Sequence, residues 1–140
     1  TSPSFLDHKK YLPIKVGGGV RFVINFLNLS NEDLDKLYSK SKFLLFPSLD
    51  EGFGLPVLEA LLHRCIVISN NIPTSREIDM GEGIIEFIDA GDFDFSRVDE
   101  FLSGIGNIER NYEKWYRKYK TRSMEEVKVF REFLEKMGWI

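Results

Sequence analysis

The run Phe43-Leu-Leu-Phe46, followed by Pro47-Ser48 and then by Glu51-Gly-Phe-Gly-Leu-Pro-Val-Leu-Glu59, constrains this chain more than any other segment. Four apolar residues leading into glycines read as a buried strand that ends in a loop. Pro56 suits the first turn of a helix, where its missing N–H has no intrahelical partner to lose. Glu51 then falls in the loop at the carboxyl end of the strand, and Glu59, beyond seven intervening residues, falls one turn into the helix. In an open α/β sheet, that edge is where ligands bind. Backbone N–H groups at a helix N-terminus attract anions and carboxylates accept from hydroxyls, so the arrangement suits a ligand with a sugar and a phosphate. Taken singly, Glu51 would be a solvated loop residue and Glu59 an exposed helix residue; the surrounding Gly52, Gly54, Pro56 and apolar strand argue for function.

The flanking pattern alternates. Ile14-Lys-Val16 reads as a short strand and Val20 to Leu27 as a longer one. Gly17-Gly-Gly19 lacks the G-x-G-x-x-G spacing and a following helix, so it reads as a turn between them rather than a phosphate loop. Ser30 opens a helix, with Asp33 as an approximate capping box and Leu34, Leu37 and Tyr38 on one face. Strand 43–47, helix 56–63, strand 65–69, a short helix near 75–79, strand 84–88 and helix 96–105 follow. This order predicts an α/β fold with a mainly parallel sheet and helices on both faces. From Ile108 the pattern is purely helical, with a break expected near Ser123. The expected division is residues 1–107 as the α/β unit and residues 108–140 as C-terminal helices.

At 140 residues and 43% hydrophobic content the chain can bury one sizeable core, which points to one domain. No apolar run is long enough for a membrane span, and nothing at the N-terminus resembles a signal peptide. A chain opening on Thr1 is expected to be trimmed or cut from a longer protein. Cys65, the single cysteine, beside the strand Ile66-Val-Ile68, reads as a small core residue suited to a reducing cytoplasm. His8 and His63 have no partner at metal-ligand spacing, and surface roles are expected for both. Asp92-Phe-Asp94 spells the Asp-x-Asp of metal-dependent sugar transferases of another fold, but just before a helix it is better explained by capping and helix charge. Thr74, Ser75 and Glu77 lie in the loop on the expected ligand side.

Charge is unevenly spread. Residues 109–122 carry a local charge of +4, against −6 for residues 1–108. Tyr112, Trp115, Tyr116 and Tyr119 form an aromatic stripe along one helix face, expected to pack on the sheet or on a further lobe. An interfacial helix on anionic lipid is the weaker alternative, and nucleic acid fits poorly with an otherwise acidic chain.

Phe46-Pro-Ser-Leu-Asp-Glu-Gly-Phe-Gly-Leu-Pro-Val-Leu-Glu-Ala60 resembles the Glu-x7-Glu signature of retaining glycosyltransferases of family 4, the "glycosyl transferases group 1" domain. The similarity extends to Phe22-Val-Ile-Asn-Phe-Leu-Asn-Leu-Ser-Asn-Glu-Asp-Leu34, to Leu37-Tyr38 and Ser41-Lys-Phe43, and to Ile66-Val-Ile-Ser69 with Glu77-Ile78, covering about residues 14 to 106. It implies one Rossmann-like lobe of a two-lobed enzyme, the C-terminal, nucleotide-sugar-binding one. Glu51 would contact donor-sugar hydroxyls as the catalytic-site glutamate, and Glu59 would accept from the ribose. The backbone of Gly52, Phe53, Gly54 and Leu55 would approach sugar and diphosphate. The resemblance implies no metal, and no cofactor beyond a nucleotide-diphosphate sugar as donor. The acceptor, a saccharide or a lipid-linked one, would bind a missing N-terminal lobe, in a cytoplasmic protein that is at most peripheral to a membrane.

The chain departs from that pattern in places. His63-Arg-Cys-Ile66 replaces the usual Gly and Pro, so the helix-to-strand turn must be built differently. Asn28 stands where glycine is common, and the basic pair expected to grip the diphosphate has no match in Thr1 to Val16. A non-catalytic nucleotide-sugar-binding or scaffolding module, or a sugar-nucleotide epimerase of the same fold, are the other readings left open.

Overall fold

A computed structural model describes the backbone of residues 9–16 and 19–26, and residues 29–89, 91 and 103–140 in full. Strands β1 (Lys9–Val16) and β2 (Gly19–Phe26) pair antiparallel, with Val16 opposite Gly19. The first strand is thus longer than expected, and the second pairs with it in a two-stranded sheet of their own. Next come α1 (Asn31–Lys40), β3 (Phe43–Phe46), α2 (Leu55–Leu62), β4 (Ile66–Asn70), α3 (Pro73–Asp79), β5 (Ile85–Ile88) and a long α4 (Ile105–Lys136). β3, β4 and β5 form a parallel sheet in chain order, with Leu44 beside Val67 and Val67 beside Ile85. The fold is α/β, consistent with a Rossmann-like glycosyltransferase lobe. The predicted helix 96–105 falls mainly outside the described residues, as do His8 and the Asp92–Asp94 pair.

Local chemistry fixes the element ends. Ser30 Oγ accepts from the Asp33 N–H at 3.1 Å and donates to Asp33 Oδ2 at 2.9 Å, so the cap forms, with the carboxylate holding the hydroxyl rather than the Ser30 N–H. Central strand β4 buries Val67, Ile68 and Ser69 in succession, as a strand covered on both faces must. After α2, Arg64 takes a left-handed φ of 61°, the conformation a glycine would adopt without strain. Its side chain is pinned, with the guanidinium carbon 4.5 Å from the Tyr112 ring centroid and Nη2 2.8 Å from Glu113 Oε1.

The core gathers Val57, Ala60 and Leu61 of α2, Cys65, Val67, Ile84, Ile85 and Trp115. Trp115 has no exposed surface, and its Nε1 donates to the Ile78 carbonyl at 2.8 Å. Tyr112 Oη donates to the Leu61 carbonyl at 3.0 Å, and Tyr116 and Tyr119 pack against the same cluster. The aromatic stripe therefore packs on the α/β unit. Buried Asp79 accepts from the N–H groups of Gly83, Ile84 and Ile85 at 3.2, 2.8 and 3.0 Å, stitching the end of α3 to the start of β5.

α4 does not break at Ser123. Serine costs a helix interior only about 0.5 kcal/mol, and no glycine or proline lies between Gly106 and Gly138. Pairs at i,i+4 support the far half: Arg122 with Glu126 at 2.8 Å and Arg131 with Glu135 at 3.2 Å. The helix ends at Gly138 (φ 72°), where Gly138 N–H donates to Glu135 O and Trp139 N–H to Leu134 O, both at 3.0 Å. None of the described helices is long and apolar enough to cross a membrane.

Candidate functional site

The loop between β3 and α2 leaves the carboxyl edge of the sheet, as the sequence predicted, and carries Glu51, Gly52, Phe53 and Gly54. Three side-chain bonds tie it down. Thr74 Oγ1, on α3, donates to the Glu51 carbonyl at 2.7 Å. Ser48 Oγ donates to Asp50 O at 2.7 Å, and Asn70 Nδ2 donates to Ser48 O at 3.3 Å. The loops after β3 and β4 are thus joined into one ledge.

Gly54 is the geometric constraint. It caps α2 with φ 66° and ψ 32°, and a Cβ there would stand 2.8 Å from Ile78 Cδ1 and 3.0 Å from Thr74 Cγ2. Backbone angle and close packing both favour glycine. Gly52 faces open space, which leaves its backbone approachable. Phe53 and Leu55 are 84% and 57% exposed, so two apolar side chains flank the loop on its solvent side. Both Glu51 and Glu59 are half-buried. Among the described residues no hydrogen bond or ion pair joins the two carboxylates. A cleft of about 240 Å³ runs beside the loop, lined by Gly52, Phe53 and Thr74 together with Leu58, Tyr119 and Arg122; neither glutamate lines it.

Glu59 lies on the second turn of α2 toward α1. The Tyr38 phenol is pushed up to about 12, by burial first and then by the negative charge of Glu59; its Oη donates to the Pro56 carbonyl at 3.4 Å, and its ring stacks on the His63 imidazole with centroids 5.4 Å apart. His63 is 24% exposed rather than on the open surface: Nδ1 lies 2.7 Å from Glu59 O and Nε2 3.1 Å from Asp35 Oδ1. Sequence patterns gave no signal for this cluster beyond placing Tyr38 on the inner face of α1. Of the other loop candidates, Ser75 is buried against Ser69 with their hydroxyls 2.7 Å apart, and Glu77 pairs with Arg122 at 2.8 Å. Of these, Thr74 alone supports the glutamate loop directly. Cys65 is a free, buried thiol raised by desolvation, with Sγ 3.2 Å from Tyr38 O.

Residues 19–87 match the family model described as "Glycosyl transferases group 1", a span that contains the whole ledge. The chain is 47% identical over 51 residues to the serotype-specific mannosyltransferase WbdA of Escherichia coli, covering 36% of this chain and 6% of that protein. Against the O-antigen chain mannosyltransferase RfbU of Salmonella typhimurium it is 43% identical over 56 residues, 39% of this chain and 16% of the relative. Against the capsular polysaccharide biosynthesis glycosyltransferase CapH of Staphylococcus aureus it is 39% identical over 71 residues, 51% and 20% of the two chains. The chain therefore spans a minor part of the length of these relatives. No solved structure matches it. Residues 19–87 are therefore similar to the glycosyl transferases group 1 domain, and the relatives named here carry glycosyltransferase or mannosyltransferase names.

Proposed function

We propose that this chain is the nucleotide-sugar-binding half of a retaining family 4 glycosyltransferase, which moves a hexose from a nucleotide-diphosphate sugar to an acceptor hydroxyl. The observation that carries the reading is the ledge: a left-handed Gly54 at the start of α2, an approachable Gly52 backbone, and two half-buried glutamates at the carboxyl edge of a parallel sheet. Glu59 accepts from the ribose hydroxyls and Glu51 from hydroxyls of the donor sugar. The bond from the anomeric carbon to the diphosphate breaks, and one to the acceptor oxygen forms with the configuration kept and one proton released. Backbone dipoles of the Gly52–Leu55 segment and basic groups stabilise the departing diphosphate without a metal. The acceptor is held by a second lobe, in a cytoplasmic or membrane-peripheral enzyme. Mannose is the first sugar to try, since the names of WbdA and RfbU both specify mannosyl transfer.

Calorimetric titration with guanosine and uridine diphosphates and their mannose and glucose conjugates tests this. Glu59→Gln is expected to weaken diphosphate and nucleotide sugar alike by about 1.5–3 kcal/mol, since each charge-assisted bond to a ribose hydroxyl is lost. Glu51→Ala is expected to weaken the nucleotide sugar alone. Unchanged affinity in Glu59→Gln removes Glu59 from the site, and equal losses in Glu51→Ala overturn the division of roles. The 140 residues by themselves are expected to transfer no sugar, because the acceptor must be held in attack geometry by the other lobe.

A further inference from the structure

Thr74, half-buried on α3, reaches the glutamate loop with both of its γ groups. Oγ1 donates to the Glu51 carbonyl at 2.7 Å, and Cγ2 lies 3.0 Å from where a Cβ on Gly54 would stand. One side chain thus bonds the loop at Glu51 and packs against it at Gly54. Ser48 and Asn70 hold the loop only as far as Asp50. Among the described residues, Thr74 is the one side chain that bonds it between Glu51 and Gly54. The helix that carries Thr74 is itself fixed. Ser75 Oγ lies 2.7 Å from Ser69 Oγ of β4, and the Ile78 carbonyl accepts from Trp115 at 2.8 Å.

What lies across the peptide from this bond gives it a role beyond support. The Glu51–Gly52 peptide is trans, so its N–H points opposite to its carbonyl. With the carbonyl held by α3, the Gly52 N–H is directed off the other side of the loop, and Gly52 is exposed. The same bond fixes the backbone from which the Glu51 side chain departs. We infer that Thr74 is a positioning residue for the sugar-diphosphate end of the site: it sets the Glu51–Gly52 peptide so that the Gly52 N–H and the Glu51 carboxylate stand ready before the donor arrives. The inference rests on the donor-site reading proposed above. A loop containing glycine has much backbone freedom to lose when it grips a ligand. A hydroxyl that holds the peptide beforehand lowers that loss and aims the amide dipole. Support of the fold alone would be felt equally by every ligand; positioning is felt only by ligands that reach the loop.

Thr74→Val separates the two roles, because it keeps the shape of the side chain and replaces only the hydroxyl, whereas Thr74→Ser keeps the hydroxyl. The readout is how much more tightly each chain binds guanosine diphosphate mannose than guanosine monophosphate, and uridine diphosphate glucose than uridine monophosphate. The monophosphates lack the second phosphate and the sugar that meet the loop. Thr74→Val is expected to cut that ratio about threefold or more with monophosphate affinity held, and Thr74→Ser to restore it. A smaller fall in Thr74→Val, alongside loss of nucleotide-sugar affinity in Glu51→Ala, overturns the Thr74 role and leaves the donor site standing. Equal losses for monophosphate and nucleotide sugar, or a loss in Thr74→Ser as large as in Thr74→Val, assign Thr74 to packing. A second measurement needs no variant: in the ligand-free chain the NMR order parameter of the Gly52 amide is expected to exceed about 0.6, and a lower value, that of flexible backbone, overturns the role. An unaltered chain that binds the nucleotide sugars no more tightly than the monophosphates overturns the donor-site reading, and the Thr74 role falls with it.

Discussion

Along α4, the stretch from Ile105 to Tyr119 and the stretch from Ser123 to Lys136 both mix apolar and charged residues at helical spacing, yet they end up in different surroundings. In the first, Trp115 is fully buried and Tyr112 and Trp115 reach the carbonyls of Leu61 and Ile78. In the second, Met124, Val127, Phe130 and Phe133 are 71%, 67%, 61% and 49% exposed. The difference lies partly in the tips of the side chains. Tyrosine and tryptophan carry a donor on an apolar body, so they both fill a core and bond to carbonyls at helix ends. Methionine, valine and phenylalanine satisfy none. Amphipathicity identifies a face of a helix; polar tips with waiting acceptors identify what that face meets.

The largest test of that contrast is Trp115→Ala. It removes a fully buried ring and orphans the Ile78 carbonyl, and is expected to cost about 3–5 kcal/mol in denaturant unfolding. A loss below 1 kcal/mol would mean that the first half of α4 is as loosely held as the second. Asp79→Ala comes next, at on the order of 2–3 kcal/mol, because three backbone N–H groups lose one acceptor. A near-neutral result would show that the anchoring depends on α4 alone and not on the turn beneath it.

The third test uses acid. Glu82, with its side chain 9% exposed, pairs with Lys118 at 2.9 Å and Lys114 at 3.0 Å. Hydrogen bonds from Lys118 and then Lys114 hold its carboxyl below the ordinary range. A group depressed in the folded state contributes stability above its unfolded pKa, and that stability is lost as pH falls through the folded value. Unfolding midpoints followed from pH 6 downward should therefore fall through the carboxylate range less steeply in Glu82→Gln than in the unaltered chain. Parallel curves would detach this clamp from the first half of α4.

The smallest effect is expected in the far half. Phe130→Ser should change stability by no more than about 0.5 kcal/mol. The exposed apolar residues also relocate the question of lipid binding from Trp115 and Tyr116, which are packed, to Phe130, Phe133 and Trp139. Residues 123–140 hold four acidic and three basic side chains, so anionic vesicles are expected to capture the chain weakly or not at all. Strong, salt-sensitive co-sedimentation abolished by Phe130→Ser would reverse that expectation.

Much of the ledge was legible in the sequence because its signals are local. An apolar run, a glycine pair and a proline fix a strand, a loop and a helix start within a dozen residues, and Ser30 with Asp33 announces α1 in the same way. The left-handed Gly54 was legible as a glycine, but the close approach of Thr74 and Ile78 that favours it comes from α3, twenty or more residues on. The Tyr38–His63 stack and the bonds of Asp79 likewise join residues whose spacing carries no pattern. The break expected at Ser123 was a misjudgement of propensity, since one serine weakens a helix far less than a glycine or proline would. The turn read at Gly17–Gly19 agrees with the antiparallel pairing of β1 and β2, but alternation gave no signal that β1 would run from Lys9.

Arg64 gives the turn after α2 a property that a glycine there would not. A left-handed residue with a Cβ sits about 1–2 kcal/mol above its relaxed state, and here the side chain that holds it down reaches Tyr112 and Glu113 of α4. When α4 lifts, the clamp is released and the turn relaxes with it, exposing the amides that Arg64 and Cys65 donate to Leu61 and Ala60. In hydrogen exchange, the end of α2 and the aromatic stretch of α4 should therefore open as one cooperative unit, with a shared protection factor. Arg64→Gly would uncouple the two clocks, leaving the turn closed while the helix departs.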